Sequence, residues 1–101
     1  QPNAMGGREV GALSNQLVAH MDFEREDHVA LVERFWRAPN MARQPGLKAV
    51  DPYRAIEAGE VKAVWIMATN PAVSLPDNSQ VRRALDKCDF VVVSDCVETD
   101  T

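Results

Sequence analysis

A short apolar segment, Val64 to Met67, lies past the middle of the chain and is followed, after one alanine, by the polar turn Thr69-Asn70-Pro71. An apolar run of this length between turn signals is typical of a strand buried on both faces, as in parallel sheets. Pro71 cannot donate a hydrogen bond to a sheet, so the strand has to end before it. Ligands of open α/β sheets bind beyond the carboxyl ends of the strands, and we therefore predict that this turn is the functional centre.

A second buried strand is predicted at Asp89 to Asp95, where an apolar run again ends in polar residues. Between the two strands, Asp77 offers a helix cap, and Val81, Leu85 and Cys88 have the spacing of an amphipathic helix. Strand, turn, helix and strand form a βαβ unit, which crosses over onto a parallel sheet. We therefore expect an α/β fold of Rossmann-like type. Two strands leave both sheet edges open, so this would be an incomplete domain cut from a larger enzyme.

The first half of the chain is predicted to be helical after an initial loop. The segment from Gln1 to Gly7 is polar and rich in glycine, which favours a loop. From Glu9 onward, apolar residues at three- and four-residue spacing predict an amphipathic helix. They are Val10, Leu13, Leu17 and Met21. Gly11 within this helix indicates close packing or backbone approach.

A second helical pattern begins at Phe23 and ends at Pro39-Asn40. Its predicted apolar side consists of Val29, Val32, Phe35 and Trp36. A loop is predicted from Met41 to Lys48. A helix of about two turns should then begin at Asp51-Pro52, with Asp51 as its cap, and close at Gly59.

Composition and charge narrow the possible partners. The chain has 101 residues, of which 46% are hydrophobic and 26% charged, which indicates an ordinary globular protein of one domain at most. Its net charge is -4, and its basic residues form no stripe, which argues against a nucleic-acid partner. No apolar run approaches the roughly 20 residues that cross a bilayer, and no signal peptide is visible. We therefore expect a cytoplasmic protein without a membrane partner.

The cysteines and the chain ends add two expectations. Cys88 and Cys96 lie eight residues apart without a CxxC pattern, so we predict small buried apolar side chains rather than a disulfide or a metal site. The chain begins at Gln1-Pro2 without an initiator Met and stops soon after a strand. We interpret it as a piece of a longer polypeptide.

No catalytic group stands out among the candidate residues. His20 and His28 lack partners at ligand or triad spacing and are interpreted as surface or half-buried side chains. Gly6-Gly7 and the following residues do not have the order of a dinucleotide fingerprint. Asp95 follows the second strand, where an acid often binds ribose, although a surface acid needs no such role. The residues alone predict a nucleotide-type α/β binding unit without its own reactive group.

Three stretches, in this order and spacing, resemble the molybdopterin oxidoreductase family. They are QPNAMGGREVG from Gln1, KAVWIMATNPAVSLPD from Lys62, and FVVVSDCVETDT from Phe90. Together they cover nearly the whole chain, and their combination is most similar to the bacterial assimilatory nitrate reductases. Ala68 stands where the family usually has a glycine before its TNP turn.

The resemblance implies a role in holding a molybdenum cofactor built on molybdopterin guanine dinucleotide. The whole chain would be part of one dinucleotide-binding domain in an enzyme that reduces nitrate to nitrite. The cofactor-binding residues would be Gln1, Pro2, Asn3, Gly6, Gly7, Thr69, Asn70, Pro71, Asp95 and Thr99. An iron–sulfur cluster and the protein ligand of molybdenum would lie outside this chain, so the piece alone would be inactive and carry no cofactor.

The implied partners are the remaining domains of the parent subunit and an electron donor, which could be ferredoxin, flavodoxin or a nicotinamide-linked reductase. Isolated from those domains, the piece would self-associate through an open strand edge or apolar face. Two alternatives remain open at this point. One is a nucleotide-binding or protein-interaction module without a redox role, and the other is the equivalent segment of a related enzyme such as formate dehydrogenase.

Overall fold

The computed structural model describes residues 3–101, which fall into two compact units, one extending to Lys48 and the other comprising Ala49–Thr101. The first unit begins with helix α1, Ala4–Glu9. The predicted loop from Gln1 to Gly7 is therefore wrong from residue 4 onward. Asn3 caps the helix, since its side-chain oxygen accepts a hydrogen bond from the Gly6 N–H at 3.2 Å.

The amphipathic helix predicted from Glu9 to Met21 is also wrong. Gly11 adopts a φ of 89° and ends the helical course, and only a 3-10 turn, Val18–His20, follows. The expected close approach at Gly11 is confirmed, because a Cβ atom there would lie 3.1 Å from the Val18 backbone nitrogen. The spacing of apolar residues reflected core packing and not a helix, since Leu17 is buried while the backbone around it is extended.

Helix α2, Glu26–Trp36, confirms the second predicted helix, although it begins later than Phe23 and ends at Arg37, before Pro39. Val29 and Val32 on this helix pack with Leu17 in the core of the first unit. The predicted apolar side is only half correct. Phe35 is 79% exposed and Trp36 is 45% exposed.

The second unit contains helix α3, Asp51–Glu57, strand β1, Ala63–Met67, and the short helix α4, Pro71–Ser74. Helix α5, Asn78–Lys87, and strand β2, Phe90–Ser94, follow. The two strands pair in parallel, from Ala63 opposite Phe90 to Met67 opposite Ser94, which confirms the predicted strand–helix–strand unit. Helix α3 also matches its prediction, with Val50 and not Asp51 in the capping position.

One face of the two-stranded sheet is covered and the other is exposed. Ile66 is buried, and so are several small and branched residues of the helices. These residues are Ala55, Ile56, Ala72, Val81 and Ala84. On the opposite face, Trp65 and Phe90 are each 64% exposed and Met67 is 56% exposed. The prediction that β1 is buried on both faces is therefore wrong for this chain, because its helices pack on one side of the sheet.

Both cysteines are free, Cys88 half-buried and Cys96 exposed, so the expectation of a buried side chain fails for Cys96. In residues 3–101 no helix is long and apolar enough to cross a membrane.

Helices α3 and α5 are joined by a polar contact at the edge of the core. The Arg83 Nε donates to Glu57 Oε1 at 3.0 Å, and the Gln80 side chain lies 3.5 Å from the other carboxylate oxygen. The hydrogen bond from Arg83 lowers the pKa of Glu57 below its ordinary value of 4.5. A carboxyl whose folded-state pKa is lowered stabilises the fold above its unfolded pKa and loses that contribution as the pH falls through the folded value.

We expect the α3–α5 contact to be lost in acid below pH 4.5, and Glu57→Gln to remove that pH dependence. Amide hydrogen-exchange protection of α3, corrected for the intrinsic exchange rate, measures the effect at pH 6 and at pH 3. Asp86→Asn is the matched control, because Asp86 is exposed on α5 and has no ion-pair partner in the described part of the chain. Equal acid sensitivity of wild type and Glu57→Gln would contradict this role.

Candidate functional site

The carboxyl ends of the two strands lie at the same edge of the sheet because the strands are parallel. Strand β1 ends at Met67 and β2 ends opposite it at Ser94. The pairing continues one step further, since the Ala68 N–H donates to the Ser94 carbonyl oxygen at 3.0 Å. The turn Thr69-Asn70-Pro71 and the segment that begins at Asp95 therefore leave the sheet at neighbouring positions, as the sequence predicts.

Ala68 turns the backbone from β1 into the turn. Its φ is 52°, in the left-handed region that costs a residue with a side chain about 1–2 kcal/mol. The strand thus ends through a strained residue, directly before the predicted site. A glycine would adopt this conformation without strain.

Asn70 and Thr101 meet although they are far apart in the chain. The Thr101 hydroxyl donates to Asn70 Oδ1 at 2.6 Å, and the same hydroxyl oxygen accepts from the Ala72 N–H at 3.1 Å. Asn70 occupies the capping position of α4, yet its side chain makes no capping hydrogen bond. The amide nitrogen of Asn70 has no hydrogen-bond partner in the described residues and remains available to a ligand.

A cavity of about 490 Å³ opens beside this network, beyond the end of β2. Its lining includes Asp95, Glu98, Thr99 and Thr101. The Thr99 hydroxyl oxygen is buried without a hydrogen-bond partner in residues 3–101, which is a costly state for a polar atom. One Asp95 oxygen accepts from the Cys96 N–H at 2.7 Å. Hydroxyls and carboxylates around one opening suit a ligand with both donors and acceptors, such as a nucleotide. Asn70 does not line this cavity and is linked to it through its hydrogen bond with Thr101.

The predicted site residues are divided between the two units. Thr69, Asn70, Pro71, Asp95 and Thr99 all lie in the second unit, near the strand ends. Pro71 is buried as the first residue of α4, and Thr69 is half-buried. Thr101 was not predicted. The only sequence signal for it is a threonine in the polar segment after the second strand.

Asn3, Gly6 and Gly7 belong to the first unit, and Gln1 and Pro2 lie outside the described residues. Gly6 has a local reason to be a glycine, because a Cβ atom there would come within 2.5 Å of the Asn3 side-chain oxygen. Asn3 itself caps α1. These contacts account for the two residues without a ligand.

The histidines are surface or half-buried side chains, as predicted, with His20 exposed and His28 half-buried. His28 Nδ1 accepts from the Asp22 N–H at 3.0 Å, and His20 pairs with the Gln16 side chain. No group of three or more potential metal-binding side chains occurs within residues 3–101.

Comparison with known sequences identifies the family. The sequence model of "Molybdopterin oxidoreductase" matches residues 3–101. A "Nitrate reductase" of Klebsiella oxytoca is 56% identical over 102 aligned residues, which cover all of this chain and 12% of that protein. The "Periplasmic nitrate reductase" of Desulfovibrio desulfuricans is 38% identical over 97% of this chain and 13% of its own length.

The "Assimilatory nitrate reductase catalytic subunit" of Bacillus subtilis is 32% identical over the whole chain and 14% of its own length. The predicted similarity to assimilatory nitrate reductases is confirmed, because this relative carries that name. The chain spans about one eighth of the length of these curated proteins.

We expect Ala68→Gly to stabilise the protein by roughly 0.5–1 kcal/mol, because removal of left-handed strain exceeds the entropic cost of a glycine. The change in melting temperature measures it. Ala58→Gly is the matched control, since Ala58 is an exposed alanine with a φ of -74° and its replacement should destabilise. A loss of stability in Ala68→Gly as large as that in Ala58→Gly would contradict the strain.

Proposed function

Because the chain belongs to the molybdopterin oxidoreductase family, we propose that it is part of a nitrate reductase and helps to hold the nucleotide end of its molybdenum cofactor. The observation that carries this proposal is the cavity beyond the end of β2, where the buried Thr99 hydroxyl has no hydrogen-bond partner among residues 3–101. A polar ligand atom at this position would satisfy that hydroxyl. Asn70 is connected to this cavity through its hydrogen bond with the lining residue Thr101, which is consistent with the same ligand.

Each site residue has a distinct binding task in this proposal. The Asn70 amide group and the Thr99 hydroxyl donate hydrogen bonds to acceptor atoms of the nucleotide. The carboxylate of Asp95 accepts hydrogen bonds from ribose hydroxyls or from the N–H groups of guanine, which carry no negative charge to repel it. Pro71 is buried and holds the turn in place.

The cofactor would be molybdopterin guanine dinucleotide with molybdenum, which supplies the redox chemistry that converts nitrate to nitrite when it is bound. The residues of this chain bind and orient it and exclude water from its nucleotide end. The molybdenum ligand and an iron–sulfur cluster would belong to other parts of the enzyme. The chain by itself would be inactive, and ferredoxin, flavodoxin or a nicotinamide-linked reductase would provide the electrons to the complete enzyme.

We further propose that the parent domain is a Rossmann-like sheet, of which β1 and β2 are two strands. The exposed sheet face around Trp65 and Phe90 would then be covered by other parts of the same subunit. An assimilatory role places the enzyme in the cytoplasm. The Desulfovibrio relative is named a periplasmic enzyme, so the periplasm is the alternative location. Cell fractionation distinguishes the two locations.

Asn70→Ala in the full-length enzyme should lower cofactor occupancy more than it lowers stability. The hydrogen bond of the half-buried Asn70 amide contributes about 1 kcal/mol to folding, while a ligand group left without its buried partner costs about 1–3 kcal/mol. Asp95→Ala should behave likewise, because a charge-assisted hydrogen bond is lost. Molybdenum content per protein, measured beside thermal melting, tests both variants. Lys87→Ala on the exposed side of α5 is the control. Normal molybdenum content in both site variants would remove the basis for this site.

The isolated 101-residue chain should form dimers or larger oligomers through its exposed sheet face. Trp65, Met67 and Phe90 present apolar side chains there, and exposed apolar faces and strand edges recruit other chains. Replacing Trp65 and Phe90 together by lysine should shift the chain toward the monomer, whereas Lys87→Ala should not. Light scattering at high protein concentration measures the state, and a wild-type monomer would contradict the proposal.

A further inference from the structure

We propose that Thr101 is a positioning residue that orients the Asn70 side chain, so that its amide N–H groups face the cofactor. This inference rests on the function proposed above and assigns a role to a residue outside the predicted site. Its basis is the three-membered network of Ala72, Thr101 and Asn70, which joins two segments about 30 residues apart at the carboxyl edge of the sheet.

The direction of this network is determined by the Ala72 backbone. A backbone N–H can only donate, so the Thr101 oxygen, 3.1 Å away, has to accept from it. The hydroxyl hydrogen of Thr101 is then available to be donated to Asn70 at 2.6 Å. That hydrogen bond engages the carbonyl oxygen of the Asn70 side chain and leaves its nitrogen on the other side.

Thr101 also replaces Asn70 in a task that asparagine usually performs. An asparagine in the capping position ordinarily accepts a hydrogen bond from an N–H of the first helical turn. In this turn the Ala72 N–H goes to Thr101, and the Asn70 side chain does not cap α4. Without the Thr101 hydroxyl, the oxygen of Asn70 would be free to return to the helix N–H groups, which would rotate its amide nitrogen away from the site.

Thr101→Val removes the hydroxyl and keeps the shape of the side chain, whereas Thr101→Ser keeps the hydroxyl. In the full-length enzyme we expect the retention of the nucleotide to fall roughly 2- to 10-fold in Thr101→Val, the range that corresponds to one hydrogen bond, and to stay near wild type in Thr101→Ser. The readouts are molybdenum per protein and the GMP that acid hydrolysis releases from a guanine dinucleotide cofactor. Both are followed through repeated buffer exchange and do not depend on activity.

A double variant separates positioning from a structural role. If Thr101 acts through Asn70, Thr101→Val should cause no further loss of GMP or molybdenum in the Asn70→Ala background. A residue that only stabilises α4 would lower the melting temperature of the cofactor-free protein by the same amount in both backgrounds and would leave wild-type retention intact. Wild-type retention in Thr101→Val, or an additive loss in the double variant, would overturn the proposal.

Asn70→Asp tests the same point without changing Thr101. The aspartate still accepts from the Thr101 hydroxyl but replaces the amide donors by a second oxygen, so GMP retention should fall at least as far as in Asn70→Ala. Retention equal to wild type would overturn the inference.

A wild-type enzyme that contains molybdenum but releases no GMP would overturn the nucleotide role of the site and the inference with it. If GMP retention falls in Asn70→Ala but not in Asn70→Asp or Thr101→Val, the proposed function stands and only the inference about Thr101 is overturned.

Discussion

The parallel pairing of β1 and β2 is the constraint on which the site depends. The hydrogen bonds of this ladder align Met67 with Ser94, and they continue to Ala68. Because both strands end at one edge of the sheet, the segments that follow them begin at that same edge. An antiparallel arrangement would have placed the Asn70 turn and the Asp95 segment at opposite ends of the sheet, and they would not be neighbours.

The helices complete this arrangement on one face only. Helices α3 and α5 pack on each other, Ile56, Val81 and the strand residue Ile66 are buried, and the pair of Glu57 and Arg83 joins the two helices. The other face keeps Trp65 and Phe90 in contact with solvent. A sheet of two strands forms only one ladder of hydrogen bonds, so its outer edges stay open. Its exposed apolar face is available for further packing. The site edge is thus held from one side by a small, tightly packed core.

The end of β1 combines strain with hydrogen bonding. Ala68 adopts a left-handed conformation, and the turn that follows is tied to the distant end of the chain through Thr101. Backbone strain persists where surrounding contacts over-determine it, and here those contacts are the Ser94 carbonyl on one side and the α4 hydrogen bonds on the other. The strained residue therefore lies between the strand ladder and the first turn of α4.

The sequence by itself determined the strand–helix–strand unit in the second half of this protein. Apolar runs that end in Thr69-Asn70-Pro71 and at Asp95 predicted both strands, the parallel order and the edge where polar residues meet, because strand periodicity and turn chemistry are local properties. Tertiary structure decided the rest. The spacing of Leu13, Leu17 and Met21 imitates a helix, yet Gly11 and a 3-10 turn interrupt it, and packing on α2 sets which side chains are buried. The burial of one sheet face and the meeting of Thr101 with Asn70 join residues far apart in the chain, and no local pattern records such contacts.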